Sequence, residues 1–164
     1  MSQRLKRLHR IVEKLSREEH RTMRLSQMDD VGGCRVVVAS LAELWRVRER
    51  VIDNWRRQLR DERDYIGCPK SDGYRALHLV VERDGRLIEI QLRTRLQHLW
   101  AAHVERLEMT RGEILRRGLG DERARIALRA MADAFAKWDA REEASLDAIL
   151  GMLTVWLAQL EKRR

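Results

Sequence analysis

Hydrophobic periodicity divides the first sixty residues into a helix, a strand and a second helix. Apolar positions recur at helical spacing over residues 3–20, with basic residues on the other faces. The β-branched run Cys-Arg-Val-Val-Val-Ala predicts a buried strand over residues 34–39. Ser40 is a favourable N-cap with Glu43 three residues on, so we predict a helix from Leu41 to about Leu59.

A β-hairpin is the clearest local signal in the middle of the chain. Residues 77–83 and 86–92 alternate as strands do, and Asp84-Gly85 joins them. A two-residue Asp-Gly connection is typical of a type I′ turn, because both positions need positive φ. In the second strand the alternation separates two faces. One face carries Ile88, Ile90 and Leu92, and the other carries Glu89, Gln91 and Arg93.

The remainder of the chain is predicted to be helical. A helix begins near Arg95, Gly118-Leu-Gly120 breaks it, and a long amphipathic region follows. Its apolar stripe comprises Ile126, Met131, Phe135, Trp138, Leu146, Ile149, Leu153, Trp156 and Leu160. The order α–β–α–β–β–α–α predicts an α/β (α+β) fold, a mixed sheet flanked by helices. We expect a core over residues 1–110 and a C-terminal helical extension over 111–164, packed on the core or on a partner subunit.

Composition narrows the class of protein. The net charge is +8 and 37% of residues are charged with mixed sign, so the surface suits polyanions such as nucleotides or RNA, or serves solubility alone. The two cysteines, Cys34 and Cys68, form neither a disulfide framework nor a metal-like spacing, which fits a reducing cytoplasm. No apolar run approaches the ~18 residues of a membrane span. We therefore expect a soluble cytoplasmic protein without a membrane partner.

Two carboxylates are candidates for metal chemistry. Asp30 precedes the first predicted strand, and the glycines at positions 32 and 33 let a ligand approach the backbone. It is a candidate Mg²⁺ ligand, or else part of an ordinary Asx turn. Glu89 sits within a strand, where glutamate is disfavoured. It is a second metal ligand or a general base, or else part of a solvent-exposed face that pairs it with an arginine.

The loop before the hairpin carries candidate nucleotide contacts. Tyr74 is suited to stacking on a nucleobase, although a tyrosine here also serves to cap the core edge. Lys70 and Arg75 are suited to phosphates or are solvated. A lone strand histidine such as His78 is more often structural than catalytic.

Four ordered blocks make the sequence similar to the synthetase domain of RelA/SpoT-type proteins, the alarmone pyrophosphokinases. The first is Arg4-Leu-Lys6 with Lys14, and the second is Asp30-Val-Gly-Gly-Cys-Arg35. The third runs from Asp64 through Lys70-Ser-Asp-Gly-Tyr74 to His78, and the fourth is Glu89-Ile-Gln91-Leu-Arg93-Thr. The resemblance covers about residues 4–105 and implies a nucleotidyltransferase-like fold.

The resemblance also implies an activity and its residues. Pyrophosphate would pass from ATP to the 3′-hydroxyl of GDP or GTP, giving the alarmone (p)ppGpp and AMP, with Asp30 and Glu89 holding Mg²⁺ and Glu89 helping to deprotonate the hydroxyl. The ATP side would comprise Arg4, Lys6, Lys14 and Arg35. The acceptor side would comprise Lys70, Asp72, Tyr74, His78, Gln91 and Arg93.

One departure leaves the acceptor open. Asp72 stands where the family usually has asparagine, and a carboxylate pointed at a diphosphate would repel it. The same transfer to the 3′ end of tRNA, as in toxin-like relatives, therefore remains an alternative, favoured also by the basic charge. A catalytically inactive nucleotide-binding module is the alternative from another class. Small relatives often assemble, so a homo-oligomer is expected.

Overall fold

The computed structural model describes residues 2–5, 32–111 and 121–141 of the chain. Within them the chain forms five strands and three helices. The strands are β1 (Ser2–Leu5), β2 (Gly32–Val38), β3 (Leu59–Asp64), β4 (Leu77–Arg83) and β5 (Arg86–Thr94). The helices are α1 (Leu41–Trp55), α2 (Arg95–Arg111) and α3 (Glu122–Arg141).

The strands form one mixed sheet in the order β1-β2-β5-β4-β3. Strands β2 and β5 are parallel neighbours, and every other pair is antiparallel. The predicted mixed sheet with flanking helices is confirmed. Strand β5 is central and lies between its parallel neighbour β2 and its hairpin partner β4.

Local sequence signals account for several element boundaries. Asp84 and Gly85 both have positive φ, 51° and 72°, so the predicted hairpin turn is confirmed. The Ser40 hydroxyl accepts a hydrogen bond from the Glu43 amide at 3.2 Å, as an N-cap does. At the next helix, Thr94 Oγ1 accepts from the Gln97 amide while Gln97 Oε1 accepts from the Thr94 amide, which is a capping box.

Two parts of the predicted order were wrong. Residues 3–5 were assigned to a helix, but Ser2–Leu5 pairs antiparallel with β2 and covers its outer edge. Sheet pairing overrides local helical spacing there; residues 6–20 of the predicted helix lie outside the described residues. The helix expected to reach about Leu59 ends at Trp55, and Leu59 begins β3, a strand that the sequence did not predict.

Two apolar clusters hold the described elements together. One lies between α1 and the sheet face of β2, β4 and β5 that carries Ile90 and Leu92. The other joins α2 and α3 to the loop residues Tyr74 and Ala76. In α3, Met131 and Phe135 are buried as the stripe predicted, but Ile126 is 63% exposed and does not belong to it. The stripe positions from Leu146 onward lie outside the described residues.

None of the helices in the described part of the chain combines the length and the apolar character that a membrane crossing requires.

Candidate functional site

A row of polar side chains lies on the sheet face opposite α1. Glu89, Gln91 and Arg93 of β5 point to this face, together with His78 of β4, which pairs with Gln91. Each of the four is at most 6% exposed. The alternative of a solvent-exposed face was therefore wrong. Buried polar groups need partners, and these four find them largely in one another.

A chain of hydrogen bonds joins Arg93 to Glu89 through two rings. Arg93 Nη2 donates to the Tyr74 hydroxyl at 2.7 Å, and that hydroxyl lies 2.7 Å from His78 Nε2. His78 Nδ1 in turn lies 2.7 Å from Glu89 Oε1. Burial lowers the pKa of His78, although the hydrogen bond to Glu89 opposes that effect. A neutral imidazole that donates from Nδ1 to the carboxylate accepts at Nε2, so the tyrosine hydroxyl donates there.

Gln91 fixes the second oxygen of the carboxylate. Its Nε2 donates to Glu89 Oε2 at 2.5 Å, and its Oε1 accepts from Arg93 Nη2 at 3.1 Å. Both carboxylate oxygens of Glu89 are thus held by neighbouring side chains. Because each partner is itself buried and bonded, the orientation of Glu89 is preorganised before any ligand arrives.

The loop before β4 is closed by a short turn. The Tyr74 amide donates to Asp72 Oδ1 at 2.9 Å, the Gly73 amide to the Lys70 carbonyl at 2.8 Å, and the Lys70 amide to the Tyr74 carbonyl at 3.2 Å. Gly73 has a φ of +93°, a conformation that favours glycine. Asp72 therefore serves an Asx turn, for which an asparagine oxygen would be an equivalent acceptor.

The Tyr74 ring is buried beneath cations and other rings. It is 7% exposed, with Lys70 Nζ and Arg93 Cζ each 5.1 Å from its centroid. Lys70 Nζ also lies 4.4 Å from the ring of Tyr65, which packs edge-on against Tyr74 and His78. Tyr74 thus forms part of the core edge, and Lys70 lies beside the aromatic loop that the sequence assigned to the acceptor.

Strand β2 brings the second block of the sequence beside Glu89. Gly33 pairs with Glu89 and Arg35 pairs with Gln91, so Arg35 points to the same face. A Cβ on Gly33 would lie 2.1 Å from the Glu89 carbonyl oxygen, which explains why a glycine stands there. In β1 the backbone of Arg4 lies opposite Gly33. The other predicted site residues, Asp30, Lys6 and Lys14, lie outside the described residues.

Sequence reasoning missed His98 and Tyr65. His98 lies in the first turn of α2. Burial is the larger cause that lowers its pKa, and the nearby charges of Arg35 and Arg93 lower it further. No spacing rule ties residue 98 to residues 35 and 93, because the contact depends on how α2 leaves β5. Tyr65 lies nine residues before Tyr74 in a polar loop, and a paired aromatic there was the available signal.

The described site combines one buried carboxylate, several cations and two tyrosines that pack edge-to-face. In residues 2–5, 32–111 and 121–141 no group of three or more His, Cys, Asp or Glu side chains could hold a metal ion. Cations and aromatic rings suit phosphates and bases, while a preorganised carboxylate suits proton abstraction or a metal. The arrangement can therefore bind a phosphorylated nucleotide next to a carboxylate that is able to accept a proton.

Comparison with known proteins gives several matches. The chain is 31% identical over 106 residues to the GTP pyrophosphokinase YjbM of Bacillus subtilis, covering 60% of this chain and 50% of that protein. It is 33% identical over 78 residues to a probable chloroplastic GTP diphosphokinase of Arabidopsis thaliana, covering 47% of this chain and 11% of that protein. The chain thus spans half or less of the length of these relatives.

Solved structures share the fold. The crystal structure of small alarmone synthetase 1 from Bacillus subtilis bound to its product pppGpp superposes with a TM-score of 0.71 at 25% identity, covering 92% of this chain and 77% of that one. The family model described as the region found in RelA / SpoT proteins matches residues 3–107. Since that span is well over half of the 164 residues, this chain belongs to the RelA/SpoT family, as its four sequence blocks predicted.

Proposed function

We propose that this protein transfers pyrophosphate from ATP to the 3′-hydroxyl of GDP or GTP, producing (p)ppGpp and AMP. The observation that carries the proposal is the buried chain Arg93–Tyr74–His78–Glu89, which ends on a carboxylate held at both oxygens. A stable fold alone does not require a glutamate 5% exposed in the middle of a strand, because burying a charge is costly. Membership of the RelA/SpoT family supports the assignment.

Glu89 is the proposed general base. The acceptor 3′-oxygen attacks the β-phosphorus of ATP, the bond from that phosphorus to the α-phosphate oxygen breaks, and AMP leaves. The hydroxyl proton passes to Glu89. Such a transfer depends mainly on positioning the reactants and on cations that stabilise the phosphate charge. A carboxylate fixed by His78 and Gln91 is well suited to the first of these, the positioning of the hydroxyl.

The remaining proposed roles divide between residues that bind the acceptor and residues that bind ATP. On the acceptor side, Tyr74 is the proposed contact for the base, and Lys70 and Arg93, which lie over its ring, are proposed to bind the phosphates. The acceptor set proposed in full is Lys70, Asp72, Tyr74, His78, Gln91 and Arg93. Arg35, which lies beside Gln91, is proposed to bind the ATP phosphates. With it we propose Arg4, Lys6 and Lys14.

Mg²⁺ is the proposed cofactor. This ion takes oxygen ligands and is usually held by one or two carboxylates together with substrate phosphates. Glu89 fits as one ligand, because its carboxylate is a hard oxygen donor that His78 and Gln91 hold in a fixed orientation. Asp30, two residues before β2, is the proposed second ligand. When bound, the ion would neutralise charge on the phosphates.

The test is pyrophosphate transfer from labelled ATP with Mg²⁺ and GDP or GTP. Wild type should label the guanosine nucleotide, and Glu89→Gln should lower kcat by at least about 100-fold, the usual contribution of a general base. Glu82→Gln on β4 is the matched control, because Glu82 pairs only with the exposed Arg60 among its described contacts. An active Glu89→Gln enzyme would remove Glu89 from its role, and an inactive wild type would leave a nucleotide-binding module.

The acceptor itself is decided by substitution within the same assay. Replacing GDP with tRNA tests the 3′-end alternative, with which the net charge of +8 is compatible. If the label from ATP appeared on tRNA and not on GDP, the alarmone proposal would be wrong, although pyrophosphate transfer itself would still hold. We further propose a cytoplasmic location, supported by the unpaired Cys34 and Cys68. A homo-oligomer is proposed too, and light scattering of the purified protein measures it.

A further inference from the structure

Helix α3 contacts the acceptor loop directly. A Cβ on Gly73 would lie 2.8 Å from the Ala132 Cβ, so the helix leaves room for only a hydrogen at that point of the loop. Two residues further along, Arg75 Nη2 donates to Asp133 Oδ1 at 3.2 Å. Helix α3 therefore faces the loop on both sides of Tyr74.

The same helix also holds the end of β5. Thr94 Oγ1 donates to Asp139 Oδ2 at 2.7 Å, and Thr94 is fully buried while Asp139 is 8% exposed. Thr94 caps α2 and directly follows Arg93, whose guanidinium donates a hydrogen bond to the Tyr74 hydroxyl. Burial raises the pKa of Asp139, while the Thr94 hydroxyl and the Arg75 charge oppose that effect. A buried carboxylate is retained only where its partners are well placed.

A shared apolar cluster joins these contact points. Tyr74 belongs to the same cluster as Trp100 of α2 and Phe135 of α3. The Trp100 indole nitrogen donates to the Leu128 carbonyl of α3 at 2.8 Å. A shift of α3 along its axis would therefore displace both the loop and the end of β5.

We propose that α3 is a positioning element for the acceptor site, in which Asp139 and Asp133 hold the end of β5 and the Tyr74 loop in register. Residues 122–141 lie outside the span matched by the family model, residues 3–107. The inference rests on the proposed function for the meaning of the acceptor site. The positioning itself is a property of the unliganded fold.

The decisive variant is Asp139→Ala. It leaves the buried Thr94 hydroxyl without its acceptor, so we expect the KM for GDP to rise about 10-fold while the KM for ATP changes less than about twofold. Asp139→Asn retains an acceptor oxygen at the same place and should restore most of the acceptor affinity. Glu122→Ala, an exposed carboxylate on the same helix, is the matched control and should behave as wild type.

A second variant avoids the buried position. Asp133 is 55% exposed, so Asp133→Ala should fold normally and raise the KM for GDP by about threefold, as expected for a partly exposed ion pair. If either variant raises both KM values in parallel, or only lowers the folded fraction, α3 is general packing and the proposal is wrong.

Hydrogen exchange of the unliganded protein provides a readout that needs no activity. The amides of Lys70, Gly73 and Tyr74 are bonded within the loop, so Asp139→Ala should speed their exchange. Amides at the opposite end of the β2–β5 pair, where Gly33 lies opposite Glu89, should exchange as in wild type. Unchanged loop exchange would overturn the positioning role even in an active enzyme. A wild type without transfer activity would refute the proposed function. Faster loop exchange in Asp139→Ala than in that inactive wild type would still support the positioning role.

Discussion

Gly33→Ala tests how tightly β2 is fitted to the strand that carries Glu89. An ideal Cβ on Gly33 would lie 2.1 Å from the Glu89 carbonyl oxygen and 3.1 Å from its carbonyl carbon. Ordinary non-bonded contacts involving carbon lie at about 3.5 Å, so the two backbones must separate locally by roughly 1.4 Å. The obstacle is backbone rather than the end of a flexible side chain, and it cannot rotate away.

The magnitude follows from the cost of overpacking. Forcing extra atoms into a packed site costs about 1–3 kcal/mol, which for a chain of this size corresponds to a fall in Tm of about 2–4 °C per kcal/mol. Gly32→Ala is the matched control, because nothing lies within 4 Å of a Cβ there. It introduces the same methyl group and the same change in the unfolded chain. Its unfolding free energy should stay within about 0.5 kcal/mol of wild type.

Urea unfolding followed by circular dichroism measures the difference between the two variants. A transfer assay on the same samples measures the consequence for the site, since a displacement of roughly 1 Å beside a catalytic group can cost up to about 100-fold in kcat/KM. Equal stability and equal kcat/KM for Gly33→Ala and Gly32→Ala would refute the inference that the β2–β5 spacing supports Glu89.

Three further predictions concern Tyr74 and Asp72 of the loop and His98 of α2. Tyr74→Phe keeps the ring but removes the hydroxyl between Arg93 and His78, so kcat should fall about 10-fold with acceptor KM little changed, whereas Tyr74→Leu should raise that KM as well; steady-state kinetics separates the two. Asp72→Asn keeps the acceptor for the Tyr74 amide and should preserve GDP affinity, whereas Asp72→Ala should weaken it; titration calorimetry with GDP measures both. The pKa of His98 lies below its ordinary value of 6.5 because of burial and then the charges of Arg35 and Arg93, so the unfolded chain binds more protons below pH 6.5. Stability should therefore rise with pH from the lowered pKa towards 6.5, and urea unfolding of His98→Gln should show a shallower rise.

The elements that sequence predicted well are those set by local chemistry. The Asp84-Gly85 turn requires two positive φ values, and the Ser40 cap requires only residues within one helical turn. The strand alternation at Glu89, Gln91 and Arg93 follows from backbone geometry alone. Each of these depends on neighbours in the chain, so one sequence was sufficient to find it.

The elements that sequence missed depend on distant partners. Ser2–Leu5 becomes a strand because β2 offers it an unpaired edge, and Leu59–Asp64 becomes one because β4 does. Charged residues dominate β3, so its own pattern carries no strand signal. Burial of the polar face had the same origin, because Tyr65 and Tyr74, which pack edge-on against His78, come from the loop before β4.

Asp72 shows how a departure from a family pattern can be chemically neutral. In sequence it stood as a negative charge in the loop that the family resemblance assigns to the acceptor, and that charge weakly favoured a different acceptor. In the structure, Oδ1 accepts from the Tyr74 amide, the bond that an asparagine oxygen would make in the same turn. The feature that this position selects is an oxygen acceptor two residues before Tyr74. Because aspartate and asparagine both satisfy it, the substitution argues for the loop geometry and carries little weight against a nucleotide acceptor.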